Sequence, residues 1–210
     1  MGGDFFDAFL LDPDHLVLAI GDVSGKGISA ALFMVRALTL LRSSAVNWRS
    51  LAKTLEDVNR VLADDNEASM FITLFMSVLD LRTGELEYIN HSHPPPLIRL
   101  PDASVAFQDV PSGIVFGIFE DAEGGAGHLS LPPGSTLLLY SDGVTEAMDP
   151  DNRQLGPQGL LDAMATANTH ETAAMVGAVA AAVGKHAGAA EQADDITLVA
   201  TTFNGAGRRA

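Results

Sequence analysis

Residues 16–27 read Leu-Val-Leu-Ala-Ile-Gly-Asp-Val-Ser-Gly-Lys-Gly, and the fold turns on how that stretch divides. Five apolar residues in a row, from Leu16 to Ile20, have the length and continuity of a buried strand. Gly25 and Gly27 then let the chain turn sharply, and beyond them the apolar period becomes helical. Upstream, residues 5–11 are apolar and aromatic with Asp7 set among them, and Asp12-Pro13-Asp14-His15 carries turn chemistry. The two runs predict a hairpin that leads directly into a helix.

Working outward, Leu32, Val35, Leu38, Leu41 and Ala45 fall at helical spacing within 28–46, leaving Arg36 and Arg42 elsewhere on the surface. A second helix is expected from Ser50, striped by Leu51, Leu55, Val58 and Leu62 and ending at Asp64-Asp65. Residues 70–81 predict a long strand, which Arg82-Thr83-Gly84 turns into a partner over 85–90. After Pro94-Pro95-Pro96, short strands are expected over 97–100 and 105–110, and the Gly-rich stretch 113–127 reads mostly as loop. Pro132-Pro133-Gly134 leads into a buried strand over 136–140. Helices follow near 157–166 and 171–186, the second with Thr169 as N-cap, and a strand over 196–200 closes the chain. Strands, a helix pair, strands, a helix pair and a strand do not make βαβ alternation. The order predicts an α+β fold of mainly antiparallel sheets covered by helices.

Composition narrows the function. The 210 residues carry 12 basic and 27 acidic side chains, a formal net charge of −15. That surplus argues against nucleic acid as the main partner, since Arg208-Arg209 is the sole Arg pair. There is no cysteine, which excludes a disulfide scaffold, a thiolate nucleophile and Cys-ligated zinc or iron–sulfur sites. No stretch reaches the roughly 18 apolar residues of a membrane helix. The start Met1-Gly2-Gly3-Asp4 lacks signal-peptide layout, and Phe6 stands where a myristoylation signal needs Ser or Thr. These features predict a cytoplasmic protein with no membrane span in this chain.

The chemistry lies in the placement of certain carboxylates. Most acidic residues read as solvated charge, but four positions share another setting. Asp4 starts an apolar strand, Asp22 follows Leu-Val-Leu-Ala-Ile-Gly, Asp142 follows Leu-Leu-Leu-Tyr-Ser, and Asp194-Asp195 precedes Ile-Thr-Leu-Val. A carboxylate at the mouth of a buried strand loses solvation and needs a partner. With only Lys26 near any of them in sequence, a hard divalent cation with oxygen ligands is the best neutraliser. Gly3, Gly21 and Gly143 beside three of them are read as letting the backbone approach an ion or its waters.

These residues occur in ordered motifs. They are Gly2-Gly3-Asp4-Phe5-Phe6-Asp7, Ile20-Gly21-Asp22-Val23-Ser24-Gly25-Lys26-Gly27, Asn90-His91-Ser92-His93-Pro94-Pro95-Pro96, Tyr140-Ser141-Asp142-Gly143-Val144-Thr145-Glu146-Ala147 and Asp194-Asp195-Ile196-Thr197. Spread along the whole chain, they resemble the SpoIIE/RsbU branch of the PPM (type 2C) metal-dependent serine/threonine phosphatases. The resemblance implies a four-layer αββα sandwich, two mostly antiparallel sheets flanked by helix pairs, with a binuclear Mn²⁺ or Mg²⁺ centre. Asp22 then resembles the carboxylate bridging both ions, and Val23 the residue lending a backbone carbonyl. Asp142 and Asp194 resemble ligands of the first ion and Asp4 a contributor to the second. Asp195 is read as a partner of that set, and which of the adjacent pair binds directly stays open. Asp22 and Asp142 are the residues on which catalysis would rest, with a water activated between the ions attacking phosphorus in line.

The same resemblance implies a phosphorylated STAS-type anti-sigma factor antagonist as substrate, in bacterial partner-switching signalling. It also implies an upstream sensor or receiver domain, a homodimer, and regulation of metal occupancy through the first helix pair. Residues 1–203 would be the C-terminal catalytic part of a longer regulatory protein and 204–210 a tail. Three departures stand out. Val23 occupies the place where distant relatives carry a His proposed as general acid, no Arg lies beside Asp4 to grip phosphate, and His91 is an extra histidine. A catalytically silent pseudophosphatase, acting as a binding or switch module, is the alternative.

Other motifs fail. A P-loop needs four residues between its glycines and Gly-Lys-Ser/Thr after them, whereas three separate Gly21 from Gly25. Gly25-x-Gly27 lacks the third glycine of a dinucleotide fingerprint, Ala30 standing there. Asp149-x-Asp151 breaks the EF-hand pattern at Arg153 and Leu160. His91-x-His93, at a strand end before three prolines, reads as a structural turn rather than a metal pair.

Overall fold

The computed structural model describes residues 2–45, 48–64, 66–167 and 171–205. The elements run β1 (Asp4–Asp12), β2 (His15–Val23), α1 (Ile28–Ser44), α2 (Leu51–Asp64), β3 (Ile72–Asp80), β4 (Glu85–His91), β5 (Leu97–Arg99), β6 (Val105–Phe107) and β7 (Gly125–Ser130). They continue with β8 (Ser135–Tyr140), α3 (Asp142–Thr145), α4 (Gly156–Thr166), α5 (Thr172–Ala187) and β9 (Leu198–Phe203). The chain divides into two compact units, one of Met1–His93 with Val110–Ser130 and one of Pro94–Asp109 with Leu131–Ala210.

The first unit holds a five-stranded sheet in the order β1-β2-β3-β4-β7, with every neighbouring pair antiparallel. The hairpin expected around Pro13 is present. Asp12 Oδ1 accepts the Asp14 amide at 2.8 Å, so the aspartate side chain itself shapes the turn. Strand β2 is buried along most of its length, in keeping with its unbroken apolar run. Gly25 and Gly27 take φ values of +86° and +93°, which side-chain-bearing residues avoid, and hand the chain to α1.

The period of α1 is as expected but its phase is not. Ala30, Phe33, Ala37 and Leu41 are buried, whereas Leu32 and Val35 are exposed and Leu38 is half-buried. Size explains the difference. The alanines let the helix approach the sheet, and the Phe33 ring sits over Gly117, where a Cβ would stand 3.2 Å from its tip. The stripe of α2 is as expected, with Leu51, Leu55, Val58 and Leu62 buried. Of its expected acidic end, Asp65 lies outside the described residues, as do Thr169 and Arg208-Arg209.

Strand β7 takes in only the last three residues of the stretch 113–127, most of which is loop as expected. It pairs with β4 from Glu85↔Ser130 to Asn90↔Gly125. Its glycines are a packing requirement, since a Cβ on Gly127 would run into the Tyr88 hydroxyl. The connection before it is pinned by buried Asn59 of α2, which sequence periodicity does not reveal. Asn59 Nδ2 donates to the carbonyls of Phe119 and Glu120 at 2.7 and 3.0 Å, and its Oδ1 accepts the Gly117 amide at 2.8 Å.

The second unit holds the sheet β6-β5-β8-β9, again antiparallel throughout, with α3, α4 and α5. Leu138, Tyr140, Leu160, Met164, Met175 and Val179 share its core. The closing strand starts at Leu198 rather than Ile196 and runs farther than expected, because Thr201, Thr202 and Phe203 continue the pairing with Leu137, Thr136 and Ser135. The single turn α3, which directly follows the buried strand β8, is an addition to the expected elements. Among the described residues no helix is long and apolar enough to cross a membrane.

Replacing Asn59 by Ala should cost about 2–4 kcal/mol, because three backbone groups lose their buried partner. A urea unfolding midpoint measures this. A loss below about 0.5 kcal/mol would show that water takes over the three bonds.

Candidate metal centre

In the first unit the hairpin register sets Asp4 directly opposite Asp22. Gly3 is buried beneath them, and its carbonyl accepts the Val23 amide at 3.1 Å. A Cβ at Gly3 would collide with the Val23 carbonyl oxygen and stand 2.7 Å from Asp22 Oδ1. Two of the expected ligand oxygens therefore gather over one glycine. On its other side Asp22 is paired with Thr73 of β3, whose hydroxyl bonds His93 Nδ1 at 3.0 Å.

In the second unit Asp142 is the first residue of α3, where a carboxylate is favoured by the amide end of the turn. Ser141 before it is fully buried and ties two segments together. Its amide donates to the Thr197 carbonyl at 3.1 Å, and its Oγ accepts the Thr197 amide at 3.0 Å. Gly143 lies so close to the Asp195 carbonyl that a Cβ would overlap it. Asp142 and the Asp194–Asp195 pair are thus held beside one another by main-chain contact. The Asp195 amide also donates to Asp194 Oδ1 at 3.0 Å, and Asp194 is the more exposed of the pair.

The glycines beside these carboxylates admit other parts of the protein at close range. Gly3 makes room for Val23 and Asp22, Gly21 for the Phe5 ring and the Thr73 carbonyl, and Gly143 for Asp195. Thr73 stands in no motif and the bonding of Ser141 could not be read from its own, because a buried hydroxyl carries no periodic signal.

The histidines behave as a structural turn. Asn90 Oδ1 accepts the His93 amide at 2.9 Å, and Asn90 Nδ2 donates to the His93 carbonyl at 3.1 Å. His91 Nδ1 instead bonds the Ile114 carbonyl at 2.8 Å, so the two rings serve different partners. Burial pushes the His91 pKa below its usual value, partly offset by that bond. Burial also pushes the Tyr140 hydroxyl up to about 12, so it stays protonated beside the Ser141-Asp142 turn.

Among the described residues no group of three or more acidic, imidazole or thiol side chains stands assembled as a metal cage. The donors are therefore read within each unit. All are oxygen atoms, from Asp22 and the Val23 carbonyl over Gly3 and from the carboxylates around Gly143, which suits hard divalent ions.

The fold of the chain matches that of PP2C-type phosphatase domains, an α+β sandwich. A structure of the PP2C phosphatase domain and a fragment of the regulatory domain of SpoIIE from Bacillus subtilis superposes with a TM-score of 0.84 at 19% identity, covering 96% of this chain and 57% of that one. The Stage II sporulation protein E (SpoIIE) family model matches residues 12–204, and the chain belongs to this family. It is 32% identical to Phosphoserine phosphatase RsbU of Bacillus subtilis (strain 168) over 146 residues, 70% of this chain and 43% of that protein. It is 30% identical to Protein IcfG of Synechocystis sp. over 231 residues, 97% of this chain and 36% of that protein. The chain thus spans less than half the length of these relatives. At 14% identity and a TM-score of 0.70, the same fold is seen in the catalytic domain of the serine threonine protein phosphatase PstP, solved in complex with 2 manganese ions, over 95% of this chain and 90% of that one.

Gly143→Ala should destabilise the protein by about 1–3 kcal/mol, since the new methyl has to displace main chain. A thermal melt showing no change would remove the close approach from the account. The lowered His91 pKa has a definite sign: the unfolded state takes up the proton first as pH falls. Stability from His91 is therefore complete above about 6.5 and is lost as pH drops below it. Urea midpoints between pH 8 and pH 5 should fall for the native chain and flatten in His91→Gln.

Proposed function

We propose that this chain is a metal-dependent protein serine/threonine phosphatase domain. The observation that carries the proposal is the placement of its acidic strand ends. Asp4 stands opposite Asp22, with Asp22 Oδ1 and the Val23 carbonyl gathered over Gly3, while Asp142 is held against the Asp194–Asp195 pair through Gly143. Membership of the SpoIIE family and the likeness to a protein named phosphoserine phosphatase support the same reading.

The residues that would hold ions are Asp4, Asp22 and the Val23 carbonyl on the first unit and Asp142, Asp194 and Asp195 on the second. Manganese in the PstP structure supports Mn²⁺ or Mg²⁺ in a binuclear arrangement. When bound, such ions supply Lewis acidity that activates water and offsets phosphoryl charge. The chain's own contribution is to hold oxygen donors in place without side-chain rearrangement, through β1–β2 register and two glycine contacts. No covalent phosphoenzyme through cysteine is available, since the sequence has none. Val23 offers no proton, and in this reading a water protonates the departing serine oxygen.

The substrate in this reading is a phosphorylated STAS-type anti-sigma factor antagonist in cytoplasmic partner-switching signalling. Residues 1–203 then form the catalytic domain of a longer protein with a sensor or receiver domain upstream, working as a homodimer.

The test is phosphate release from a phosphoserine STAS-domain protein, with Mn²⁺ titrated against EDTA. Asp22→Asn and Asp142→Asn should each lower turnover about 10²–10³-fold while keeping the native unfolding midpoint. Turnover indifferent to EDTA and to both substitutions would overturn the metal mechanism. Absence of both turnover and Mn²⁺ binding in the native chain would favour the silent module.

A further inference from the structure

Beside the acidic strand ends, the first unit contains a second feature that the proposed phosphatase reading does not use. A cavity of about 540 Å³ opens between α2, the β4–β7 edge and the connection 120–124. Its volume lies within the roughly 300–1,000 Å³ usual for small-molecule sites. Leu55, Ile89 and Ala126 give it an apolar wall.

His91 lies on that wall and is 2% exposed. The tautomer of its ring follows from the one bond it makes. The Ile114 carbonyl can only accept, so Nδ1 carries the proton, and burial keeps the ring neutral. Nε2 is therefore a lone-pair acceptor, and among the described residues it has no hydrogen-bond partner. Gly124 keeps this nitrogen open, because a Cβ there would stand 2.7 Å from it. Nε2 borders the open space of the cavity, so a donor from outside can reach it.

The rim supplies the charge. Glu120, Asp121 and Glu123 line the cavity, are exposed, and pair with no cation among the described residues. Arg60, also on the rim, is engaged by Glu56 at 2.7 Å and Asp57 at 3.6 Å, and Glu56 is further paired with Lys53 at 3.1 Å. The local balance is strongly negative around an apolar hollow with one unused acceptor.

We propose that this cavity binds a small organic cation, an ammonium or guanidinium carried on a short apolar stem. The stem lies against Leu55, Ile89 and Ala126, an N–H donates to His91 Nε2, and the loop carboxylates balance the charge. A bare divalent ion fits less well, because part of the wall is apolar and no three ligating groups stand together among the described residues. An anion is repelled by the rim.

The test is an NMR titration of the full chain with butylguanidinium at low salt, following the His91 Nε2 resonance. Saturable binding with a Kd of about 1 mM or tighter is expected, with that resonance shifting. The rim variant E120Q/D121N/E123Q changes only exposed, unpaired side chains. It should keep the native urea midpoint and weaken binding about tenfold, and butylurea, neutral and of similar shape, should bind about tenfold more weakly. Equal affinity in the rim variant, equal affinity for butylurea, or no saturable shift at His91 would each overturn the proposal. N-acetyl-arginine methylamide separates a free cation from a side chain offered by a protein. Affinity no better than butylguanidinium is expected, and a tenfold gain would overturn the assignment to a free ligand. None of these readouts depends on phosphatase activity.

Discussion

Two close approaches, each possible only at a residue without a Cβ, hold the acidic strand ends in place. At Gly3 the Asp22 carboxylate and the Val23 carbonyl occupy space that a side chain would fill, and at Gly143 the Asp195 carbonyl does so. These contacts leave the atoms involved little room to shift. The chain sustains the crowding because rigid elements enforce it. The β1–β2 register fixes one set, and the reciprocal bonds between Ser141 and Thr197 fix the other. Oxygen donors held in place by the backbone are what a hard divalent ion requires.

The surrounding packing serves that rigidity. In the first unit β2 is buried along most of its length and flanked by β1 and β3, so Asp22 sits at the end of an element with little freedom. In the second, β8 is buried throughout and runs straight into Ser141 and α3. Loops carry the less rigid functions. The connection 117–124 is anchored by Asn59 at one end and leaves Glu120, Asp121 and Glu123 exposed around the cavity, with no cation paired to them among the described residues. The −15 net charge is thus not spread evenly in its consequences. Part of it is confined at strand ends, part is neutralised in the Lys53–Glu56–Arg60–Asp57 ladder on α2, and part rims a hollow.

Much of this was legible in residue order. The unbroken apolar run of β2, the turn chemistry at Pro13 and the shift to a helical period after Gly27 specify a hairpin followed by a helix, since each depends on neighbours a few residues away. The strand-end carboxylates also stand out locally, as charge placed where burial is expected. The phase of α1 did not, because small alanines facing the sheet look less hydrophobic than Leu32 and Val35 facing out. Strand β7 was hidden for a similar reason: Gly125 and Gly127 signal a loop, yet they make room for the Pro111 carbonyl and the Tyr88 hydroxyl.

The sequence by itself determined most of the elements, the α+β class and the exclusion of thiol chemistry, and it singled out the acidic candidates at the strand ends, all of which rest on composition and short-range pattern. Only the tertiary structure decided which face of α1 is buried, what the glycines beside the carboxylates make room for, and how His91 is used. Those depend on atoms brought together from distant parts of the chain: Gly3 with Val23, Gly143 with Asp195, and His91 with Ile114 and Gly124. Contact at such separations is a product of packing, and no local period records it.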